Sequence, residues 1–227
     1  GREKEVVEAA VQKLKTEVID AQVSGIAADF SKVEEVDQLL AQLPKTDILI
    51  NNAGIFEPKA FADITDSEWL RYFEVNVLSG IRLSRALFPK MLAKNWGRII
   101  FITSESALNV PEEMIHYGTT KTAIHAVSRG LAELTKGSDV TVNTVMPGPT
   151  ASEGVVDFVK QLATEKGIST AAAEEEFFKT MRPSSLIQRF SEVGEIASMV
   201  AYISSPLSSS TNGSSVRVDG GVIKSVF

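Results

Sequence analysis

The chain contains no cysteine. That excludes a disulfide, a thiolate nucleophile and a Cys-ligated zinc site, and it removes cysteine usage as a sign of compartment. Histidine is scarce too: His116 and His125 are the only two, too few and too isolated to build a metal centre. No apolar run approaches the ~20 residues of a membrane-spanning helix, and the amino end lacks a secretory pattern. The expected compartment is the cytoplasm, on the lack of an export signal. No Lys/Arg cluster occurs and the net charge is −6, which argues against a nucleic-acid surface.

What is present is an ordinary globular composition, 44% apolar and 23% charged, over 227 residues. One well-cored α/β domain fits this length. Helix and strand patterns alternate, which predicts a parallel sheet covered on both faces, a doubly wound arrangement. Glu3 to Glu17 reads as an amphipathic helix with Val6, Val7, Ala10, Val11 and Leu14 on one side. Gln22–Ala28 reads as a strand, and Ser31 as the cap of a helix bearing Val33, Val36, Leu39 and Leu40. The strand Asp47–Asn51 follows, then a long helix capped by Asp66 or Ser67 and running toward Leu87. Further units are the strand Arg98–Thr103, a helix from Glu113 to Lys136, the strand Val140–Met146 and a short strand Ser214–Val218. Ser204–Ser215 has a linker's composition, but its Asn212-Gly213 turn and the strand after it make it a surface loop. Glu174-Glu175-Glu176 reads as a solvated helix face.

Chemistry enters with Tyr117 and Lys121. Four apart on a helix, they share one face. An ammonium beside a phenol favours the phenolate, so the pair can exchange a proton with an alcohol or carbonyl. Around it stand apolar strands with polar ends: Asp47-Ile48-Leu49-Ile50-Asn51-Asn52-Ala53-Gly54, Arg98-Ile99-Ile100-Phe101-Ile102-Thr103-Ser104, and a third closed by Met146-Pro147-Gly148-Pro149-Thr150. A lone Asn76 interrupts the helix-like Phe73-Glu74-Val75-Asn76-Val77. With Asp219-Gly220-Gly221, these motifs resemble the short-chain dehydrogenase/reductase family in order and spacing, from one end of the chain to the other.

The resemblance implies a single Rossmann-like domain over 1–227 and a hydride transfer between a nicotinamide and a carbonyl or secondary alcohol. Tyr117 becomes the acid/base; Lys121 binds the nicotinamide ribose and lowers the tyrosine pKa. Ser104 orients the substrate oxygen, with Ser106 as its rival, and Asn76 anchors a proton relay. Asn51, Ala53 and Gly54 lie at the strand end where such sheets bind ligands. Asp29 matches an adenine contact, or caps the helix after it. Pro147, Gly148, Thr150 and Ser152 match the nicotinamide-amide segment, Ser152 replacing the commoner Thr. Arg2 fits a 2′-phosphate, which points to NADP, with NAD possible. The family's opening strand and glycine-rich turn have no counterpart here. A β-α-β unit takes roughly 30 or more residues, so the sequence reads as part of a longer polypeptide.

Residues 152–189, with Val155, Val156, Phe158, Val159, Leu162, Phe177, Phe178 and Met181, read either as a lid over a hydrophobic small-molecule substrate or as two helices packing on each other. The implied substrate class is a 3-oxoacyl or general carbonyl compound, and the implied assembly a homodimer or homotetramer. The rival to the enzyme is a non-catalytic scaffold without cofactor.

Overall fold

The computed structural model describes residues 1–226. Four parallel strands, β1 (Ile48–Asn51), β2 (Trp96–Ile102), β3 (Asp139–Pro147) and β4 (Ser215–Val218), lie side by side in chain order. Among the described residues eight helices surround them: α1 (Lys4–Glu17), α2 (Val33–Gln42), α3 (Asp66–Phe73), α4 (Ser79–Lys94), α5 (Ile115–Glu133), α6 (Glu153–Lys166), α7 (Thr170–Thr180) and α8 (Val193–Ser204). The continuous apolar runs of β2 and β3 follow from burial on both faces. Ile99, Phe101, Val140 and Val142 join Leu87, Phe88 and Met91 of α4 and Ile124 and Ala132 of α5 in one core. Ile100 and Val145 point the other way, onto Ile203 and Met199 of α8. The alternating side chains of the two central strands thus hold a helical layer on each face, as the doubly wound reading expects.

Four local expectations are corrected. Gln22–Ala28 is extended but is not a strand among the described residues. Its backbone bond is Ala28 N–H to the Gly1 carbonyl, and the segment lies against α1, where a Cβ on Gly25 would overlap Val7. The apolar stripe of α1 is real, yet Val6 and Leu14 remain 58% and 45% exposed. Ser31 does not cap α2, because its N–H and hydroxyl both turn back to Asp29 Oδ1, at 3.0 and 2.7 Å. The cap of α3 is Thr65, neither Asp66 nor Ser67: Thr65 and Glu68 form a reciprocal capping box. Finally, the helix toward Leu87 is not continuous. A π-turn over Glu74–Leu78 separates α3 from α4, and Asn76 sits in its middle. Single π-turns inside helices are a frequent mark of functional sites.

The loop before β4 belongs to the domain. Asn212 accepts from Val142 N–H at 2.9 Å and donates to the Thr135 hydroxyl at 2.7 Å, with Gly213 taking the left-handed turn (φ 68°) beside it. Of the glutamate run, Glu175 and Glu176 pair at the surface with Lys179 and Lys166, while Glu174 accepts from Phe190 N–H. No helix among the described residues is long and apolar enough to cross a membrane.

Candidate active site

The site forms where β1, β2 and β3 end. Past β2, Thr103 stays in the sheet by bonding the Val145 carbonyl through N–H (2.9 Å) and hydroxyl (3.2 Å). Ser104 is the next residue. Its Oγ accepts Ser106 N–H at 3.1 Å and so starts a short 3-10 turn over Glu105–Ala107. That turn is fastened to α5, since the Thr122 hydroxyl donates to the Ala107 carbonyl at 2.7 Å. Contact is close because residue 118 is glycine: a Cβ there would stand 2.8 Å from the Ser106 carbonyl oxygen. Tyr117, one residue earlier on α5, is thereby held near Ser104, whose hydroxyl lowers the phenol's pKa. Ser106 is fully buried and its hydroxyl turns to Glu105 Oε1 at 3.3 Å, so of the two serines it is Ser104 that meets Tyr117.

Lys121 follows one turn along. Its Nζ lies 5.6 Å from the Tyr117 ring centroid and donates to the Ile102 carbonyl at 3.0 Å. The sequence chemistry expects this ammonium to lower the Tyr117 pKa, and the net direction is the reverse. Burial pushes the phenol up, and the neighbouring Ser104 hydroxyl is the main opposing influence. Lys121 is itself so buried that its pKa falls from 10.5 to about 8. Both groups respond to the same dry wall: the phenol keeps its proton and the ammonium is weakened.

Asn76 spends its amide on the framework. Oδ1 accepts Ile55 N–H at 2.8 Å, while Nδ2 donates to the Ile55 carbonyl and the Thr120 hydroxyl, each at 3.0 Å. The π-turn thus ties the loop after β1 to the α5 turn between Tyr117 and Lys121.

A cleft of about 900 Å³ opens at this sheet edge. Of the candidate site residues singled out from the sequence, it is lined by Gly54, Ser104 and its rival Ser106, Tyr117, Lys121, Pro147, Gly148, Thr150 and Ser152. Gly148 fits closely there, since a Cβ would stand 2.5 Å from the Asp219 carbonyl oxygen. Arg2, Asp29, Asn51, Ala53 and Asn76 are not among the lining residues. Asn51 faces α4, its Nδ2 3.4 Å from Ser84 Oγ and its buried Oδ1 without a partner, and its neighbour Asn52 takes the cleft position instead. Strand alternation is the reason: adjacent side chains leave on opposite faces. Arg2 and Asp29 lie near one another outside the cleft; the arginine's charge is one of the smaller influences lowering the Asp29 carboxyl, after its two bonds to Ser31. Those bonds form a turn ahead of α2, whose amino end carries no side-chain cap, from Asp29 or from Ser31.

Residues 152–189 form helices that pack on each other beside the cleft. Helices α6 and α7 share a core of Val159, Ala163, Ala173, Phe177 and Phe178 with Phe190, and Val155, Phe158, Phe177 and Met181 also line the cleft. Sequence reasoning missed one feature of that wall. Arg182 Nε donates to Glu105 Oε1 at 2.7 Å, with the two side chains only 7% and 4% exposed. The partners stand 77 residues apart in the chain, and no local spacing announces them. The one signal is a charged residue, Glu105, in a stretch otherwise built for burial. Among the described residues no group of three or more His, Cys, Asp or Glu side chains could hold a metal ion.

Comparison with known proteins agrees with this geometry. The short chain dehydrogenase family model matches residues 1–163. The uncharacterized oxidoreductase YvaG of Bacillus subtilis is 46% identical over all of this chain and 86% of its own length. Acetoacetyl-CoA reductase of Cupriavidus necator is 28% identical, over 87% of this chain and 75% of its own. The crystal structure of L-sorbose reductase from Gluconobacter frateurii, complexed with NADPH and L-sorbose, superposes with a TM-score of 0.91 at 27% identity, covering 99% of this chain and 86% of that one. With a family match over most of its length, a strand-end cleft and the Tyr117–Lys121 helix turn, this chain belongs to the short-chain dehydrogenase/reductase family of oxidoreductases.

Proposed function

We propose that this protein transfers hydride between a nicotinamide cofactor, NADPH in preference to NADH, and a carbonyl or secondary alcohol carbon of a small molecule. The observation that carries the reading is the convergence of Ser104, Tyr117 and Lys121 on one wall of the cleft at the carboxyl ends of the strands, the edge where open parallel sheets bind ligands. The residues there suit the nicotinamide end of such a cofactor. Lys121 Nζ has three N–H donors, and its hydrogen bond to the Ile102 carbonyl uses one, which leaves donors for a ribose diol. When bound, the nicotinamide supplies or accepts the hydride.

The chain's own part is proton handling and alignment. In reduction, the Tyr117 hydroxyl gives its proton to the substrate oxygen as charge develops there. Burial, which holds that proton on the phenol at neutral pH, suits Tyr117 to act as the acid. Ser104 Oγ hydrogen-bonds the same oxygen and stabilises its charge. With a pKa of about 8, Lys121 is charged at neutral pH and offsets the phenolate left behind. Asn76 acts through its framework bonds, holding the Gly54–Ile55 loop against α5.

For the cofactor's far end, Arg2 and Asp29 are the candidates, Arg2 for a 2′-phosphate. Relatives named as reductases of an acyl-CoA and of a sugar, the latter with NADPH, support a carbonyl substrate and NADP. A homodimer or homotetramer is the matching assembly, with exposed Leu70 and Leu134 as available contacts.

Tyr117→Phe tests the reading. Turnover of carbonyl substrates should drop by about 10²- to 10⁴-fold, the usual contribution of a positioned general acid, while NADPH binding persists. Turnover within a few-fold of wild type would remove Tyr117 from the chemistry.

A further inference from the structure

Resting on that oxidoreductase reading, we infer that Glu105, supported by Arg182 and Glu113, forms a subsite that binds a hydroxyl group of the substrate beside its reacting carbonyl, so that the substrate is a hydroxyketone or the matching diol. Glu105 immediately follows Ser104, and all three charged residues line the same cleft as Tyr117. The cluster is built and buried. Arg182 Nε and the Ser106 hydroxyl bond Glu105 Oε1, and the Arg182 guanidinium is braced by the Met181 carbonyl at 2.9 Å.

An ion pair with only a structural role is expected to satisfy all its polar atoms, because a buried acceptor without a donor is costly. Here the second oxygen of Glu105, Oε2, is buried and has no partner. Glu113 Oε1, also buried and without a hydrogen bond, stands 3.9 Å from Arg182 Nη1. Two open acceptors call for a donor. Charge narrows the choice further, since two carboxylates face one guanidinium and an anionic substrate group would be repelled. Arg182 already neutralises Glu105, so a neutral hydroxyl satisfies Oε2 without adding an unpaired charge. Around the cluster the cleft lining includes the apolar Phe158, Phe177, Met181 and Phe190. Beside the Ser104–Tyr117 centre, the charged cluster is therefore what fixes the substrate's orientation.

The test compares kcat/KM of the purified protein, with NADPH and with NADH, for three matched ketones: acetophenone, α-hydroxyacetophenone and phenylglyoxylate. The hydroxyketone should exceed the plain ketone by at least about tenfold, as expected for a buried polar site that rejects an analogue lacking the hydroxyl, and the oxoacid should be poorest. In the double variant Glu105→Leu/Arg182→Met, an apolar replacement of the kind that buried ion pairs tolerate, the ratio of hydroxyketone to plain ketone should fall toward one. Circular dichroism checks that the variant is folded, and the wild-type ratio decides the matter independently of it. A wild-type ratio near one overturns the subsite, as does a ratio that survives the double substitution. Preference for phenylglyoxylate overturns it too, by assigning recognition to Arg182. Turnover of none of the three, with either cofactor, overturns the oxidoreductase reading itself.

Discussion

Lys121 carries an ammonium into a wall where it meets the Ile102 carbonyl, the Tyr117 ring and little water. The cost of that placement can be read as pH dependence. An unfolded chain keeps a lysine proton up to the ordinary value of 10.5, whereas folded Lys121 releases it near about 8. Between those values the unfolded state binds more protons, so stability rises with pH across that window. Below about pH 8 the full penalty is present. Each pKa unit is worth about 1.4 kcal/mol, and losing the bond to Ile102 costs about 1 kcal/mol. Lys121→Met is therefore expected to be inactive yet more stable at pH 7 by roughly 2–3 kcal/mol, an advantage that vanishes as pH approaches the ordinary lysine value. Urea denaturation of both proteins at pH 7 and at pH 10 measures it. A variant less stable than wild type at pH 7 would mean that Lys121 is not held at a cost. The sequence shows the Tyr117–Lys121 spacing but not this penalty, because burial is a property of everything packed around the side chain.

At the level of elements, what could be read in advance was whatever the local pattern determines. The apolar runs of β2 and β3, the turn of α5 bearing Tyr117 and Lys121, and the anomaly of an Asn within a helix are all local features. What could not be read depends on distant partners. Gln22–Ala28 has a strand's composition, but a strand also needs a neighbour. Asn76 looks misplaced until Ile55 and Thr120 are seen to take its amide. Glu105 has no visible purpose until Arg182 arrives from beyond α7. Thr65 and Glu68, by contrast, carry a capping signature that is plain in the sequence, and Asp66 and Ser67 drew attention one and two residues too late. Two glycines of α5 separate the helix's own preference from its docking. At Gly118 a Cβ would stand 2.8 Å from both the Ser106 carbonyl oxygen and a Val110 methyl, whereas at Gly130 it would meet nothing within 4 Å. Gly118→Ala should cost about 1–3 kcal/mol and, by moving Tyr117 away from Ser104, reduce turnover by more than about tenfold. Gly130→Ala should stabilise by about 0.4–1 kcal/mol and leave turnover alone. Thermal unfolding and steady-state rates on the two variants separate these effects; equal behaviour at both positions would show that the approach at Gly118 does not set the site.

Across the whole molecule, no single element owns the site. Gly54 follows β1, Ser104 follows β2, Gly148 follows β3, Lys121 comes from α5, and apolar lining comes from α6 and α7. They meet because parallel strands in sequential order deliver their carboxyl ends to one edge. A ligand that touches several of these loops binds the folded chain and not the unfolded one, so occupancy should appear as stability. At a cofactor concentration 100 times Kd the gain is about 2.7 kcal/mol, or roughly 5–11 °C in melting midpoint for a chain of this size at about 2–4 °C per kcal/mol. Comparing the dinucleotides then tests the amino end. Gly1 is tied to Ala28, and Arg2 is near enough to Asp29 to influence its carboxyl. If Arg2 receives a 2′-phosphate, NADPH should raise the midpoint more than NADH at equal concentration and titrate more tightly by nicotinamide fluorescence, and Arg2→Ala should abolish the difference. Equal shifts in wild type would sever Arg2 from cofactor choice while leaving the Tyr117–Lys121 chemistry intact. No shift with either dinucleotide would mean that Lys121's remaining donors serve something other than a ribose, and the hydride-transfer proposal would lose its cofactor.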